Sequence, residues 1–237
     1  MENTISEIID EIIDASSSPE YTYLFNDSPD EFIRLIDEVV QIYIESGARS
    51  SKKVDKLHGY IKSVIDQYLI DHGLLQSYTV VLEYNVPSLN SSGKKCCDIV
   101  VLKEGVPFLV FPVKFIMTNY NQNKNNSWEN LTGEMMHLKW ANNGLIIVPV
   151  NIIFNRTPYL ETNKTIKKME HIEYNNSFKI YEALTEKGIT FDNMNFIMDV
   201  THRVQIGDKY GVGPIINGFH MDTPFKSLYT LLDRVIL

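Results

Sequence analysis

Hydrophobic positions in the first part of the chain recur every three to four residues, which is the helical period. The pattern predicts helices over residues 2–14, from the Ser28–Pro29 start to about Gly47, and over residues 53–71. Ser28 is a typical helix N-cap, and the fixed φ of Pro29 suits the first turn of a helix. The first quarter of the chain is therefore predicted to be helical.

From Tyr78 onward the apolar period changes to two, which is typical of strands. Strands are predicted over residues 78–86, 96–102 and 108–116, and the short turns between them indicate an antiparallel meander. In the first strand, Val80, Leu82, Tyr84 and Val86 are expected on one face and Glu83 on the other.

The rest of the chain continues this mixture of helices and strands. The pattern predicts an Asn-rich loop over 119–126, a helix from Ser127 to about Trp140, an apolar strand over 145–153, a polar loop or lid over 155–176, a helix over 177–187, a strand over 194–206 and a helix over 224–237. This order predicts an α/β (α+β) fold with a central mixed sheet flanked by helices. We divide it into an N-terminal helical region, residues 1–50, and a core, residues 51–237.

Composition narrows the class of protein. The chain has 237 residues, of which 44% are hydrophobic, and its 22 Lys and Arg against 30 Asp and Glu give a net charge of −8. These values fit a single globular domain, and they exclude both a disordered chain and a surface that is basic all over. Much of the acidity lies in residues 2–46, where Arg34 is the lone basic residue.

Cysteine content and hydropathy bear on location. Cys96 and Cys97 are the two cysteines, and as sequence neighbours they form neither a disulfide framework nor a metal motif. The amphipathic acidic start does not resemble a signal peptide, and no apolar run approaches the roughly 18 residues of a membrane span. We expect a soluble cytoplasmic protein with no membrane partner.

Two charged residues interrupt the apolar strands. Asp98 lies in the second predicted strand and Lys114 in the third, and pairing of these strands lets both side chains project from one side of the sheet. An unpaired charge buried in such a sheet is costly. The two residues therefore either form a structural ion pair or belong to a functional site.

Asp98 followed by Pro112-Val113-Lys114 resembles the motif of the PD-(D/E)XK nuclease superfamily, the fold of most type II restriction endonucleases. The resemblance covers about residues 53–153. It implies that Asp98 and a second acid bind Mg²⁺, with Mn²⁺ able to substitute, and that Lys114 positions or activates the attacking water. It also implies double-stranded DNA as the substrate and a homodimer, because cleavage of both strands requires two active sites.

Pro112 occupies the position of the family's second acid. Some members place that acid on the following helix, where this chain offers Glu129 and Glu134. Glu129 lies fifteen residues after Lys114 and matches the family better by spacing, whereas Glu134 lies beside the apolar stripe of the helix and should face the sheet. Glu83 is a further candidate metal ligand, although a solvated strand residue is the simpler interpretation.

Nucleic-acid contacts are expected from polar residues around this site. The candidates are Lys94, Lys95, Asn119, Asn121, Gln122, Asn123, Lys124 and Asn125. Lysines suit phosphates, and amide side chains suit both adenine edges and phosphates.

Two other interpretations stay open. A viral-type RNA endonuclease on the same fold should carry a histidine on a helix before the strands, and His58 is the candidate here. Alternatively, the loss of the second acid at Pro112 leaves a catalytically inactive module that binds DNA or protein.

Overall fold

Two amphipathic helices lie one after the other near the start of the described chain, as their apolar period predicts. Helix α1 spans Pro29–Ser46 and helix α2 spans Lys52–Asp71. The N–H of Glu31 donates to Ser28 Oγ (3.4 Å) and caps α1. The structure, a computed structural model, describes residues 22–25, 28–47, 51–220 and 225–237, so the helix predicted over residues 2–14 lies outside the described residues.

The remaining helices and the strands follow in a mixed order. The helices are α3 (Tyr120–Ala141), α4 (Tyr174–Glu186) and α5 (Leu228–Ile236). The strands are β1 (Thr22–Leu24), β2 (Tyr78–Pro87), β3 (Lys94–Lys103), β4 (Val106–Phe111), β5 (Val113–Ile116), β6 (Ile146–Ile147), β7 (Val150–Phe154), β8 (Arg156–Leu160), β9 (Ile166–His171), β10 (Met194–Thr201), β11 (Ile215–His220) and β12 (Phe225–Ser227). None of the described helices is both long and apolar enough to cross a membrane.

The predicted meander is present in β2, β3 and β4, which pair antiparallel in that order. Two of the predicted strands are each broken in two at a proline. Pro112 separates β4 from β5, and Pro149 lies between β6 and β7. Proline has no N–H to donate to a ladder, so it interrupts a strand in the interior of a sheet.

These breaks place the strands in two connected four-stranded sheets. One sheet has the order β2-β3-β4-β6 and the other β11-β10-β7-β5, so the chain passes from the first sheet to the second twice. The β4–β6 and β5–β7 pairs are parallel, and α3 lies in the crossover that connects them. The described chain is thus a mixed α/β protein, in agreement with the predicted α+β class.

Each face of the sheets is covered by its own group of helices. Helices α1, α2 and α5 contribute Phe32, Ile61 and Leu231 to one buried apolar layer. Helices α3 and α4 contribute Leu131 and Phe178 to the layer on the opposite face. The strands supply apolar side chains to both layers, as expected for a sheet that is buried on both sides.

The prediction of an Asn-rich loop over 119–126 is wrong, because α3 already begins at Tyr120. Asn119 adopts a left-handed φ of 56°, and its Oδ1 accepts a hydrogen bond from the N–H of Leu160 (2.6 Å). The buried carboxylate of Glu170 accepts from the N–H of Asn121 (3.1 Å) in the first turn of α3. A negative charge at a helix N-terminus is favourable, so distant residues stabilise a segment of weak helical propensity.

The polar loop or lid predicted over 155–176 is also wrong in its first part. Residues 156–171 form the antiparallel hairpin β8–β9, and α4 begins at Tyr174. The C-terminal helix is present, but it is shorter than predicted because β12 precedes it and pairs in parallel with β1.

Candidate active site

The candidate site lies at a fork in the sheet, where β4 ends its pairing with β3 at Pro112 and the chain continues as β5. Ile99 and Phe111 are still paired in register, and beyond them the chain continues as β5, which pairs with β7 instead. The N–H of Val113 donates to Asp98 Oδ2 at 2.7 Å. A carboxylate therefore replaces the missing ladder bond, which places Asp98 next to the residue that precedes Lys114.

Glu83 lies opposite Asp98 on β2. The pairs Leu82–Ile99 and Tyr84–Cys97 flank it in register, and Glu83 has a positive φ of 51° in the middle of the strand. This left-handed conformation is strained for a residue with a Cβ atom. Such strain concentrates at functional sites, so its presence beside Asp98 makes Glu83 a candidate site residue.

The strained residue also changes which side chains share a face of β2. Val80 and Leu82 pack in the layer of α1 and α2, whereas Tyr84 and Val86 pack in the layer of α3 and α4. The expectation that all four share one face is therefore wrong. The two-residue alternation is interrupted at Glu83, where the backbone leaves the β conformation.

His58 approaches the two carboxylates from α2. Its side chain is buried, with 2% exposed, and within the described chain its Nε2 has no hydrogen-bond partner. Burial lowers the pKa of His58, while the charges of Asp98, Glu83 and, more weakly, Asp55 raise it. The structure therefore brings His58, Glu83 and Asp98 into one electrostatic neighbourhood.

Lys114 lines a cleft beside this neighbourhood. The cleft has a volume of about 480 Å³ and also receives His58, together with residues of α1, α3 and α4. The Nζ of Lys124 lies 4.4 Å from the ring centroid of Trp128, and that of Lys53 lies 5.5 Å from the ring of Tyr43. Burial lowers the pKa of both of these lysines, and Lys179 lowers that of Lys124 further.

The predicted nucleic-acid contacts divide into two groups. Asn119, Asn123 and Lys124 line the cleft. The others, Lys94, Lys95, Asn121, Gln122 and Asn125, are not among the residues that line it, and all of them except Lys95 are exposed.

The two glutamates of α3 do not reach the cleft. Glu134 faces the sheet as expected, but there its Oε1 accepts a hydrogen bond from Lys95 Nζ at 2.5 Å. Glu129 is exposed to solvent. Neither glutamate lines the cleft, and Asp98 and Glu83 do not line it either, but Glu83 is the acid that lies opposite Asp98 on the adjacent strand.

No ready-made metal cage is present in the described ranges, since no three His, Cys, Asp or Glu side chains lie close enough there to hold an ion. The carboxylates of Asp98 and Glu83 are nevertheless ligands of the kind that a hard divalent cation binds. The buried Nε2 of His58 has no hydrogen-bond partner in the described residues. Mg²⁺ commonly takes one or two protein carboxylates and completes its shell with water and substrate phosphates.

The sequence contained a signal for His58 that the nuclease motif does not use. His58 follows Leu57 on the stripe that continues with Ile61 and Ile65, so a titratable group occupies an otherwise apolar helix face. A polar residue on such a stripe is either hydrogen-bonded within the core or part of a site. The second interpretation is favoured for His58, because it lines the cleft and its Nε2 has no hydrogen-bond partner in the described residues.

Comparisons with known proteins give no relative. No family model matches the chain, and neither a curated protein nor a solved structure matches it.

Proposed function

We propose that this protein is a metal-dependent endonuclease that hydrolyses phosphodiester bonds of double-stranded DNA, in the manner of type II restriction enzymes. The observation that carries the proposal is the grouping of Asp98, Glu83 and His58 at the sheet fork, beside the cleft that contains Lys114. The positions of Asp98 on the middle strand of the meander and of Lys114 just past its third strand support it, because the nuclease motif requires these positions.

Asp98 and Glu83 would hold the divalent cation, and water and substrate phosphate oxygens would complete its shell. When bound, the cation would polarise the scissile phosphate and lower the pKa of a coordinated water. Of the acids named for the second position, Glu83 fits best, since Glu134 would first have to leave Lys95. Mg²⁺ is the expected ion, with Mn²⁺ able to replace it.

Lys114 would act on the water from the cleft side. Its ammonium can orient the attacking water by hydrogen bonding and stabilise the negative charge that develops on phosphorus oxygens. Lys53 and Lys124 give the same cleft positive charge, and Asn119 and Asn123 give it amide groups for phosphate and base edges. A locally basic cleft in a protein of net charge −8 is thus compatible with an anionic substrate.

Cleavage of both strands requires two such sites, so the proposal includes a homodimer. Light scattering with and without a DNA duplex measures this directly. A strict monomer on DNA would reduce the proposal to a strand-nicking enzyme.

Lys114→Ala tests the chemistry, with Lys103→Ala as the matched control. Lys103 lies on β3, with its Nζ 5.4 Å from the ring centroid of Tyr78, and it does not line the cleft. On supercoiled plasmid with Mg²⁺ or Mn²⁺, we expect Lys114→Ala to lower the cleavage rate by at least about 10²-fold, the usual scale for a positioned acid or base. DNA affinity should change little, and Lys103→Ala should cleave like the wild type.

Full activity of Lys114→Ala would contradict the role of this lysine. If the wild type cleaves no nucleic acid with either ion, and calorimetry detects no binding of either ion, the inactive DNA- or protein-binding interpretation replaces the proposal.

The position of His58 favours a second candidate, an RNA endonuclease on the same fold. This interpretation requires a histidine on the helix before the strands, and His58 lies on α2 near Asp98 and Glu83. The same assay on single-stranded RNA distinguishes the two. Cleavage of RNA in preference to duplex DNA, with Mn²⁺ preferred over Mg²⁺, would select the second candidate.

A further inference from the structure

A row of polar side chains crosses three strands of the second sheet and ends at Lys114. Asn195 of β10 is paired in register with Asn151 of β7, and Asn151 is paired in register with Lys114 of β5. Both strand pairs are parallel, so the three side chains lie on the same face of the sheet. This is the face covered by α3 and α4, to which the neighbours Ile116, Ile153 and Ile197 also contribute.

Each amide of the row donates a hydrogen bond to the next residue, and all of these bonds run away from β5. Asn195 Nδ2 donates to Asn193 Oδ1, and Asn151 Nδ2 donates to Asn195 Oδ1 at 2.8 Å. Asn193 Nδ2 in turn donates to Thr185 Oγ1 of α4 at 3.1 Å. Because the Asn151 amide nitrogen is directed to β10, its carbonyl oxygen is turned away from Asn195.

That oxygen is a buried acceptor without a donor. Asn151 is fully buried, and its Oδ1 has no hydrogen-bond partner in the described part of the chain. Such groups are rare in folded proteins, because an unmade hydrogen bond in the interior costs free energy. The residue in register on the adjacent strand is Lys114, whose ammonium carries three donors on a flexible stem. Neighbouring strands lie only about 4.8 Å apart, so this stem is long enough to reach the oxygen.

We propose that Asn151 is a positioning residue for Lys114. The Lys114 ammonium, which makes no hydrogen bond to Asn151 Oδ1 in the structure, would donate a hydrogen bond to it and so be held in the cleft, while Asn195 and Asn193 keep the Asn151 amide from rotating. The role assigned to the amine rests on the proposed function, whereas the contact itself does not. Other cationic or titratable groups that line the cleft, such as His58, Lys124 and Tyr181, lie on helices and have no such register with Asn151.

The contact is tested by NMR on protein labelled with ¹⁵N and ¹³C, with the Lys114 ammonium signal assigned through Lys114→Arg. We expect a slowly exchanging ammonium with a scalar coupling to Asn151 ¹³Cγ across the hydrogen bond. In Asn151→Leu the signal should broaden by fast exchange with water, and in Asn151→Asp, which retains an acceptor oxygen, it should persist. Asn193→Leu is the matched control, since it removes an amide from the far end of the row.

Cleavage kinetics give the second measurement. Asn151→Leu should lower kcat by at least about tenfold with KM within about twofold, as for a group that acts on the reaction rather than on binding. Asn193→Leu should have the smaller effect, and Asn151→Asp should restore most of the rate.

The outcomes separate the two proposals. A wild-type protein without the coupling, or equal effects of Asn151→Leu and Asn193→Leu on the Lys114 signal, would refute the positioning role even if the enzyme cleaves DNA. A coupling in a protein that cleaves nothing would support the contact and contradict the proposed function.

Discussion

The strained backbone at Glu83 leads to a prediction with a built-in control. Glu83 and Glu104 are both exposed glutamates with a φ of 51°, but Glu83 lies in β2 at the sheet fork and Glu104 lies in the turn between β3 and β4. We expect that replacing either one by glycine relieves the same strain. Only Glu83→Gly should also remove a group that the proposed endonuclease needs.

The magnitude follows from two opposing effects. A left-handed conformation costs a residue with a Cβ atom about 1–2 kcal/mol. Replacement by glycine relieves this strain, but it costs about 0.5–1 kcal/mol because the unfolded chain gains conformational entropy. The net gain in unfolding free energy therefore lies between about 0 and 1.5 kcal/mol for each variant, with a midpoint of about 0.75 kcal/mol, and each kcal/mol raises Tm by roughly 2–4 °C in a chain of this size.

The assay pairs urea unfolding with plasmid cleavage and Mn²⁺ calorimetry for both variants. We expect both to be more stable than the wild type, Glu104→Gly to cleave normally, and Glu83→Gly to lose cleavage and to bind the cation more weakly. A destabilised Glu83→Gly beside a stabilised Glu104→Gly would show that the Glu83 side chain supports the fold. Normal cleavage by Glu83→Gly would remove it from the site.

Two further predictions concern Asp98 and His58. Asp98→Ala should lower the free energy of unfolding in urea by about 1.5–3 kcal/mol, the value of a hydrogen bond to a charged group, because the N–H of Val113 loses its acceptor. Asp98→Asn keeps an oxygen there and should lose less stability, and both variants should lose cleavage. An Asp98→Ala protein as stable as the wild type would contradict the role of Asp98 at the fork. Burial lowers the pKa of His58, so the unfolded state binds more protons than the folded state below about pH 6.5. The stability of the wild type should therefore fall relative to that of His58→Gln as the pH decreases through that value. A difference in unfolding free energy that stays constant from pH 8 to pH 5 would contradict this prediction.

The local pattern of apolar residues was sufficient to predict the elements in the first half of the fold. The apolar period and the Ser28 cap predict α1 and α2, and the period of two predicts the meander, because both signals depend on residues close in sequence. Asp98 and Lys114 were also recognisable, since a charge in an apolar strand is conspicuous in any sequence.

Long-range contacts explain where the pattern failed. The Asn-rich segment is helical because Glu170, distant in sequence, accepts from its first turn, and no local signal reports that contact. Residues 156–171 form a hairpin although their composition is that of a polar loop. Spacing favours Glu129 and helix facing favours Glu134 as the second acid, and neither signal reports that Glu134 pairs with Lys95.

By itself, the sequence determined the class of fold, the order of its first elements and the two charged residues in its central strands. Only the tertiary structure decided which groups meet them. The fork at Pro112, the left-handed Glu83, the buried His58 and the amide row behind Lys114 all depend on strands and helices that are far apart in the chain. Their contacts arise from register and packing, which a single sequence does not encode in any local period.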